Sequence, residues 1–363
     1  MIFRNLLRRK VRSLLTALGI SIGVAAVVAL GAIAEGMVSQ ITGMLTKGGA
    51  DLTVIQSKVA DIGLSAIDEE IGERIAAMPG VERVSGMIFS VVPAKGTPYF
   101  IVFGYDPNQY AIRHFKITSG AKLAASKQII VGRVAANYLK KGVGDTIALY
   151  DMPYRIVGIY ETGVGYEDGG GVITLKDAQA LFKKPRQVSF FQIKLSDLAR
   201  ADEIRRTVER RYGDVTVSRS AEFMENRQDI QITRSIGWGI SLLAIIVGGV
   251  GMMNTMLMSV MERTREVGVL RALGWSQWRI LGMILQESLL LSGVGGLCGI
   301  LLGVGIVQLI QLSPVGAALI QGAFSLGLFV QSLLVALILG AIGGLYPAYR
   351  ASRLSPLEAL RHE

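Results

Sequence analysis

The sequence predicts a membrane protein: four transmembrane α-helices carrying one large extracytoplasmic α+β domain. Three observations predict it. Residues 14–34, 235–261 and 288–349 contain no Asp, Glu, Lys or Arg, and each run reaches or exceeds the roughly 20 apolar residues that a helix needs to cross about 30 Å of hydrocarbon. Residues 35–234 instead hold 26 of the 38 Lys and Arg and 23 of the 28 Asp and Glu, as a water-soluble domain does. The remaining cations flank the apolar runs.

Composition agrees: 51% of the 363 residues are hydrophobic, mean hydropathy is +0.45, and 44 are Gly. A pI near 9.7 raises the question of nucleic acid. The excess cations sit beside membrane spans, which is the positive-inside pattern, so nucleic-acid binding is excluded. Arg4, Arg8, Arg9, Lys10 and Arg12, then Arg263, Arg265, Arg271 and Arg279, then Arg350, Arg353 and Arg361 place both termini and residues 262–279 in the cytoplasm of a cell-membrane protein.

Residues 1–13 set Phe3, Leu6, Leu7 and Val11 against Arg4, Arg8 and Lys10, the pattern of an amphipathic helix on the anionic inner leaflet. Residues 14–34 form the first span. Ala32-Ile33-Ala34 resembles a signal-cleavage site, but 21 apolar residues exceed a typical h-region, so an uncleaved anchor is expected. Gly19 and Gly23 make a small-residue step that lets helices approach closely.

Residues 35–234 form the extracytoplasmic domain. The single Cys, Cys298, lies in the third span and reads as a small packing residue, so the domain contains no disulfide or thiolate metal site. Two similar stretches, IDEEIGERIAAMPGVERV at 67–84 and LARADEIRRTVERRYGDVTV at 198–217, each read as an amphipathic helix, a Gly stop and a Val-rich strand. β-like runs precede them, Leu52–Gln56 and Val188–Leu195. Split β-α-β halves over 50–94 and 188–220 are therefore expected around a β-rich insertion at 95–187, which reads as a small subdomain. A polar stalk at 221–234 leads into the second span, 235–261.

The connector 262–279 follows. Within it Val267, Leu270 and Leu273 offer apolar anchors and Arg265, Glu266 and Arg271 offer charge, the mixture of a helix seated in a partner's groove. The third span, 280–312, repeats the glycine step at Gly295, Gly299 and Gly303 and holds one charge, Glu287, which should find a polar neighbour within the protein. Ser313-Pro314 marks an outer loop at 313–323, since Pro cannot continue a helix. A fourth span occupies 324–346, and the tail 347–363 carries a capping-box helix start at Ser355-Pro356-Leu357-Glu358.

Catalytic parts are missing from the sequence. It has two histidines, His114 and His362, and none of the H-E-x-x-H, G-x-S-x-G or G-x-x-x-x-G-K-[ST] patterns. His114 reads as a surface loop residue. Glu167-Asp168 before Gly169-Gly170-Gly171 reads as a solvated loop, with a cation site as the alternative.

Four segments carry a resemblance: RNLLRRKVRSLLTALGISIG at 4–23, IIVGRVAANYLKKGVGDTIAL at 129–149, VGGVGMMNTMLMSVMERTREVGVLRALGWSQWRI at 247–280 and YPAYRASRLSPLEALR at 346–361. Together they resemble MacB-like and FtsX-like permeases of ABC transporters, the type VII or mechanotransmission permeases, and the lipoprotein-releasing LolC and LolE subunits. The resemblance implies a non-catalytic permease with a porter-like external fold, working as a dimer of two copies. ATP and Mg are bound by a cytoplasmic ABC ATPase subunit, a separate chain because no nucleotide-binding segment is fused here, and this chain holds no cofactor. Residues 264–275 become the coupling helix, and ATP-driven closure passes along the stalk to the external domain, driving export with an extracytoplasmic adaptor as a further partner. The alternative is a signal transducer acting on an external partner such as a cell-wall hydrolase.

Overall fold

The computed structural model describes residues 10–59, 62–94, 97–223, 228–313, 316 and 320–354. Met1–Arg9 of the expected amphipathic helix, Pro314 of the expected outer turn, residues 224–227 of the expected stalk and the expected helix start at Ser355 lie outside the described residues. The helices are α1 (Lys10–Lys47), α2 (Glu69–Ala76), α3 (Arg133–Leu139), α4 (Gly165–Asp168), α5 (Leu175–Leu181), α6 (Ala201–Arg211), α7 (Gln228–Glu262), α8 (Thr264–Ala272), α9 (Gln277–Gln311) and α10 (Leu326–Ser352). The strands are β1 (Leu52–Gln56), β2 (Ile67–Asp68), β3 (Val81–Ala94), β4 (Thr97–Tyr105), β5 (Lys116–Gly120), β6 (Gln128–Gly132), β7 (Thr146–Leu149), β8 (Met152–Glu161), β9 (Gly171–Thr174), β10 (Gln187–Val188), β11 (Phe190–Leu195) and β12 (Val215–Arg219). The chain divides into two compact units, one of residues 1–34, 233–309 and 322–363, the other of residues 35–232 and 310–321.

The first unit is a bundle of α7, α9, α10 and the first part of α1, the four helices long and apolar enough to cross a membrane. α9 lies between α1 and α10. A Cβ on Gly295, Gly299 or Gly303 would stand 2.7–3.0 Å from Ile20, Val24 or Val28 of α1, so only glycine lets the two backbones approach this closely. Ser21 Oγ donates to the Gly295 carbonyl at 2.8 Å across the same seam. On its other flank α9 uses serines: Ser288 Oγ donates to the Gly340 carbonyl of α10 at 2.9 Å. Gly343 of α10 meets Met252 of α7, and Thr16 of α1 donates to Thr255 of α7 at 2.8 Å, which closes the ring α1–α9–α10–α7. Gly23 is buried, whereas Gly19 has no atom within 4 Å of where a Cβ would stand. Cys298 is exposed on the bundle surface and not the packing residue its size suggested, because the glycine seam and the serine flank claim the inward positions of α9.

In the second unit the split halves interleave. β12, β1, β11 and β3 lie side by side, all antiparallel, with Leu52 opposite both Ile193 and Arg219. α2 and α6 bury Ile75, Ile204 and Val208 on one sheet face with Val54, Ile193 and Val217, while Ile41, Met44 and Leu45 of α1 pack with Ile55, Met87 and Phe190 on the other. Both faces of β1 are thus covered, which is why all four residues of LTVI are buried rather than every second one, with the Thr53 hydroxyl paired to that of Ser220 at 2.9 Å.

The insertion is not the small separate subdomain that its turns suggested. β3 is 14 residues long and pairs β11 along its first half and β4 along its second. The sheet continues through β4, β9, β6, β8 and β5, with β7 pairing β3 and β8, to make ten strands. β4 with β9 and β6 with β8 are parallel pairs, which need crossover connections, and α3 to α5 lie in this segment.

Candidate coupling site

The connector between α7 and α9 is a short helix, α8, tied back to α7 at its start and capped by a glycine turn at its end. Thr264 Oγ1 donates to the Met261 carbonyl at 2.7 Å at its start. At its end Gly274 takes a left-handed backbone, φ +89°, and Trp275 N donates to the Leu270 carbonyl at 3.1 Å. The helix stops at Ala272, short of the expected 275, because that glycine turns the chain before Gln277 opens α9. Glu266 in the first turn and Arg271 in the last complement the helix dipole.

The faces of α8 differ from the sequence expectation. Val267 is 3% exposed and packs in the bundle core with Val260, Ile280 and Ile284, so it anchors α8 to its own chain and not to a partner. Leu270 is half-buried against the same cluster. Arg271 turns back as well: its Nη1 donates to the Trp275 carbonyl at 3.0 Å, and its Nε is buried with no hydrogen-bond partner among the described residues. Arg265 and Glu266 are exposed, and so is Leu273 at 73%. Val269 at 43% and Trp278 at 80% are exposed too, two residues absent from the expected set. Glu266, Val269 and Leu273 stand at i, i+3 and i+7, on one outward face. Arg279 lies over the Trp275 ring at 4.6 Å and stiffens the turn into α9.

Glu287 meets Arg263 at the end of α7. Arg263 Nη1 donates to the two carboxylate oxygens at 3.2 and 3.1 Å, and both side chains are mostly buried. The one charge of the third span is therefore neutralised by a connector arginine 24 residues earlier.

A second polar cluster lies in the α+β unit. Glu167, expected in a solvated loop, is fully buried, and the His114 side chain, expected on the surface, is 10% exposed, its ring 4.1 Å from that of Phe115. His114 Nε2 lies 2.8 Å from Glu167 Oε1, and Tyr160 donates to the Glu167 carbonyl at 2.6 Å. Burial, reinforced by the Glu167 charge, pushes the Tyr105 and Tyr160 phenols well above the ordinary tyrosine range. Among the described residues no three His, Cys, Asp or Glu side chains gather as a metal site.

Comparison with known proteins accounts for most of the chain. Residues 13–211 match the MacB-like periplasmic core domain and residues 238–356 match the FtsX-like permease C-terminal region. The pyoverdine export ATP-binding/permease protein PvdT of Pseudomonas savastanoi pv. phaseolicola is 29% identical over 388 residues, covering 97% of this chain and 57% of that protein. The macrolide export ATP-binding/permease protein MacB of Nitrobacter winogradskyi is 28% identical, covering 99% of this chain and 59% of its own length. The chain thus spans little more than half of these two relatives. The uncharacterized ABC transporter permease MJ1507 of Methanocaldococcus jannaschii is 26% identical with 99% and 96% covered. A solved periplasmic region of MacB from Actinobacillus actinomycetemcomitans aligns with 50% of this chain and 95% of its own at 10% identity and a TM-score of 0.40.

Proposed function

We propose, from the premise that this chain belongs to the family of MacB-like and FtsX-like ABC transporter permeases, that it couples ATP hydrolysis in a cytoplasmic partner to movement of its α+β domain and so drives export. The coupling reading is carried by one observation: α8 presents Glu266, Val269 and Leu273 outward beside the exposed Trp278, while Val267 ties the same helix into the bundle. Large apolar side chains beside a charge are what a partner's groove grips, and a helix fixed to its own bundle passes that grip on to α7 and α9.

In this reading a cytoplasmic ABC ATPase binds ATP and Mg, a second copy of the permease completes the assembly, and the cation-rich segments face the cytoplasm. Export follows the names of the relatives, which concern pyoverdine and macrolides in those proteins. At 28–29% identity neither substrate transfers to this chain.

A photo-crosslinking residue at Leu273, in the full chain in native membranes, tests the coupling. It should capture a protein that carries a phosphate-binding P-loop. Leu273→Asp and Glu266→Arg should each lower ATP hydrolysis by the co-purified complex about tenfold, the loss of a contact of roughly 1.4 kcal/mol, with unchanged membrane levels. Crosslinks to lipid alone together with unchanged hydrolysis in both variants would refute the assignment.

A further inference from the structure

α9 and α10 belong to the helix bundle, yet residues 310–321, which lie between them in the chain, belong to the α+β unit. Gln321 makes the attachment. Gln40 Nε2 of α1 donates to Gln321 Oε1 at 3.2 Å, and Gln40 Oε1 accepts from the Tyr166 N–H at 3.2 Å. One amide side chain thus holds the α9–α10 connection at one end and the turn at residues 162–168 at the other. The Gln321 amide occupies the place that a Cβ on Gly165 would take. Gly165 opens α4 with a helical backbone and no positive φ, a conformation open to every residue type, so it is the approach of Gln321 and not the backbone that requires glycine here.

The turn that receives Gln321 is fixed on two sides. Toward α1, Lys47 Nζ donates to the Thr162 carbonyl at 2.8 Å, and Val164 packs against Gly43, where a Cβ would stand 3.3 Å away. Gln40, Gly43 and Lys47 are spaced i, i+3 and i+7, which puts all three on one stripe of α1. Toward the sheet, the Tyr160 hydroxyl of β8 donates to the Glu167 carbonyl at 2.6 Å, and the Gly132 N–H at the end of β6 donates to the Gly170 carbonyl just past the turn at 2.9 Å. Inside the turn the Asp168 carboxylate accepts from the N–H groups of Thr162 and Gly163 at 2.7 and 2.9 Å. A displacement of Gln321 is therefore carried into α1 and the sheet together, through contiguous hydrogen bonds and packing, instead of being absorbed by a loose loop.

We propose, resting on the coupling reading above, that Gln40, Gly165 and Gln321 are positioning residues of the coupling mechanism: they bind the α9–α10 connection to the α+β domain, so that movement begun at α8 enters the domain through α9 as well as through α7. α1 and α7 each run from one unit into the other as a continuous helix, whose own stiffness transmits movement. α9 instead stops at Gln311, and the chain returns to the bundle in α10. For these two helices side-chain contacts must do what backbone continuity does for α1 and α7, and the bridge from Gln321 through Gln40 to the turn is the contact that does it.

Spin labels at Leu312→Cys and Lys122→Cys, in a Cys298→Ser chain diluted into unlabelled chain within the co-purified complex in lipid nanodiscs, report the attachment by their distance and need no ATP. With the contacts intact they should give one narrow distance. Gln321→Ala and Gln40→Leu should each raise a detached, longer-distance population about fivefold, the weight of one net hydrogen bond. Gln40→Glu should keep the single distance, because its carboxylate accepts from the Tyr166 N–H and from the Gln321 amide once that amide turns over. For the movement, a label at Lys122→Cys alone in each permease copy should change its distance between the nucleotide-free and the vanadate-trapped complex, a change that shrinks in Gln321→Ala and is retained in Gln40→Glu. The same 312–122 distances with and without Gln321→Ala and Gln40→Leu would overturn the proposal. So would an unaltered nucleotide response in a Gln321→Ala complex whose attachment has loosened. Either result leaves the coupling reading standing, whereas no nucleotide response with all contacts intact would overturn both together.

Discussion

At the residue scale, Arg263 and Glu287 illustrate what one side chain can and cannot announce. Glu287 is conspicuous in sequence, a lone charge after seven uncharged residues and before 62 more. Arg263 is one of four arginines in the connector and nothing local marks it as the partner. Glu287→Leu should leave a mostly buried guanidinium unpaired and cost about 1–3 kcal/mol, while the double Leu variant should lose less than the two single variants combined. Thermal unfolding of the four proteins in one detergent measures this, and strict additivity would mean that the pair contributes nothing. The outward face of α8 was only partly legible for a related reason. Val267, Val269, Leu270 and Leu273 are all apolar, so periodicity alone does not say which of them the bundle claims, and packing assigns Val267 inward and Val269 outward. The His114–Glu167 pair was not legible at all, since its members are 53 residues apart and each sits beside turn-like sequence.

At the scale of elements, α9 is a helix with two smooth sides, glycine toward α1 and serine with glycine toward α10. The glycine spacing was visible in sequence, but not which neighbour it would meet. The two glycine steps separate in consequence. Gly299→Ala places a methyl 2.7 Å from the Ser21 carbonyl oxygen and Val24 Cβ, an overpacking that should cost about 1–3 kcal/mol. Gly19→Ala meets nothing within 4 Å and should be neutral, or stabilising by up to about 1 kcal/mol through helix propensity. Melting temperatures of the purified variants decide between them, and a Gly19→Ala loss as large as that of Gly299→Ala would point to a neighbour outside this chain. The paired strand-helix-strand halves were legible from their 3.6-residue and 2-residue periods. The joining of the insertion to them was not, because β3 serves both and its register reveals itself only when β4 and β11 are in place.

For the whole molecule, the proposed orientation gives a direct test. In a Cys298→Ser background, a membrane-impermeant maleimide added outside intact cells should label Lys122→Cys on the α+β unit and leave Ser276→Cys in the connector unlabelled until the cells are permeabilised. The reverse pattern would invert the topology. Four spans were legible because a charge-free apolar run of roughly 20 residues or more is at home in hydrocarbon and seldom in water. The ten-stranded sheet was not, because strand order is set by pairings between distant segments that composition does not encode.

That strand order has a consequence for how the protein is made. β1 is bracketed by β11 and β12, whose residues leave the ribosome about 140–160 positions after its own. At a synthesis rate of roughly 5–20 residues per second, the apolar strand LTVIQ waits on the order of ten to thirty seconds for its neighbours. Throughout that interval α1 already tethers it beside the bilayer, and neither of its backbone edges has a partner. Manufacture of this chain therefore includes a period in which an unpaired, aggregation-prone edge must be shielded, and a holdase on the α+β side of the membrane is the component that a cell-free synthesis lacking it should be seen to miss.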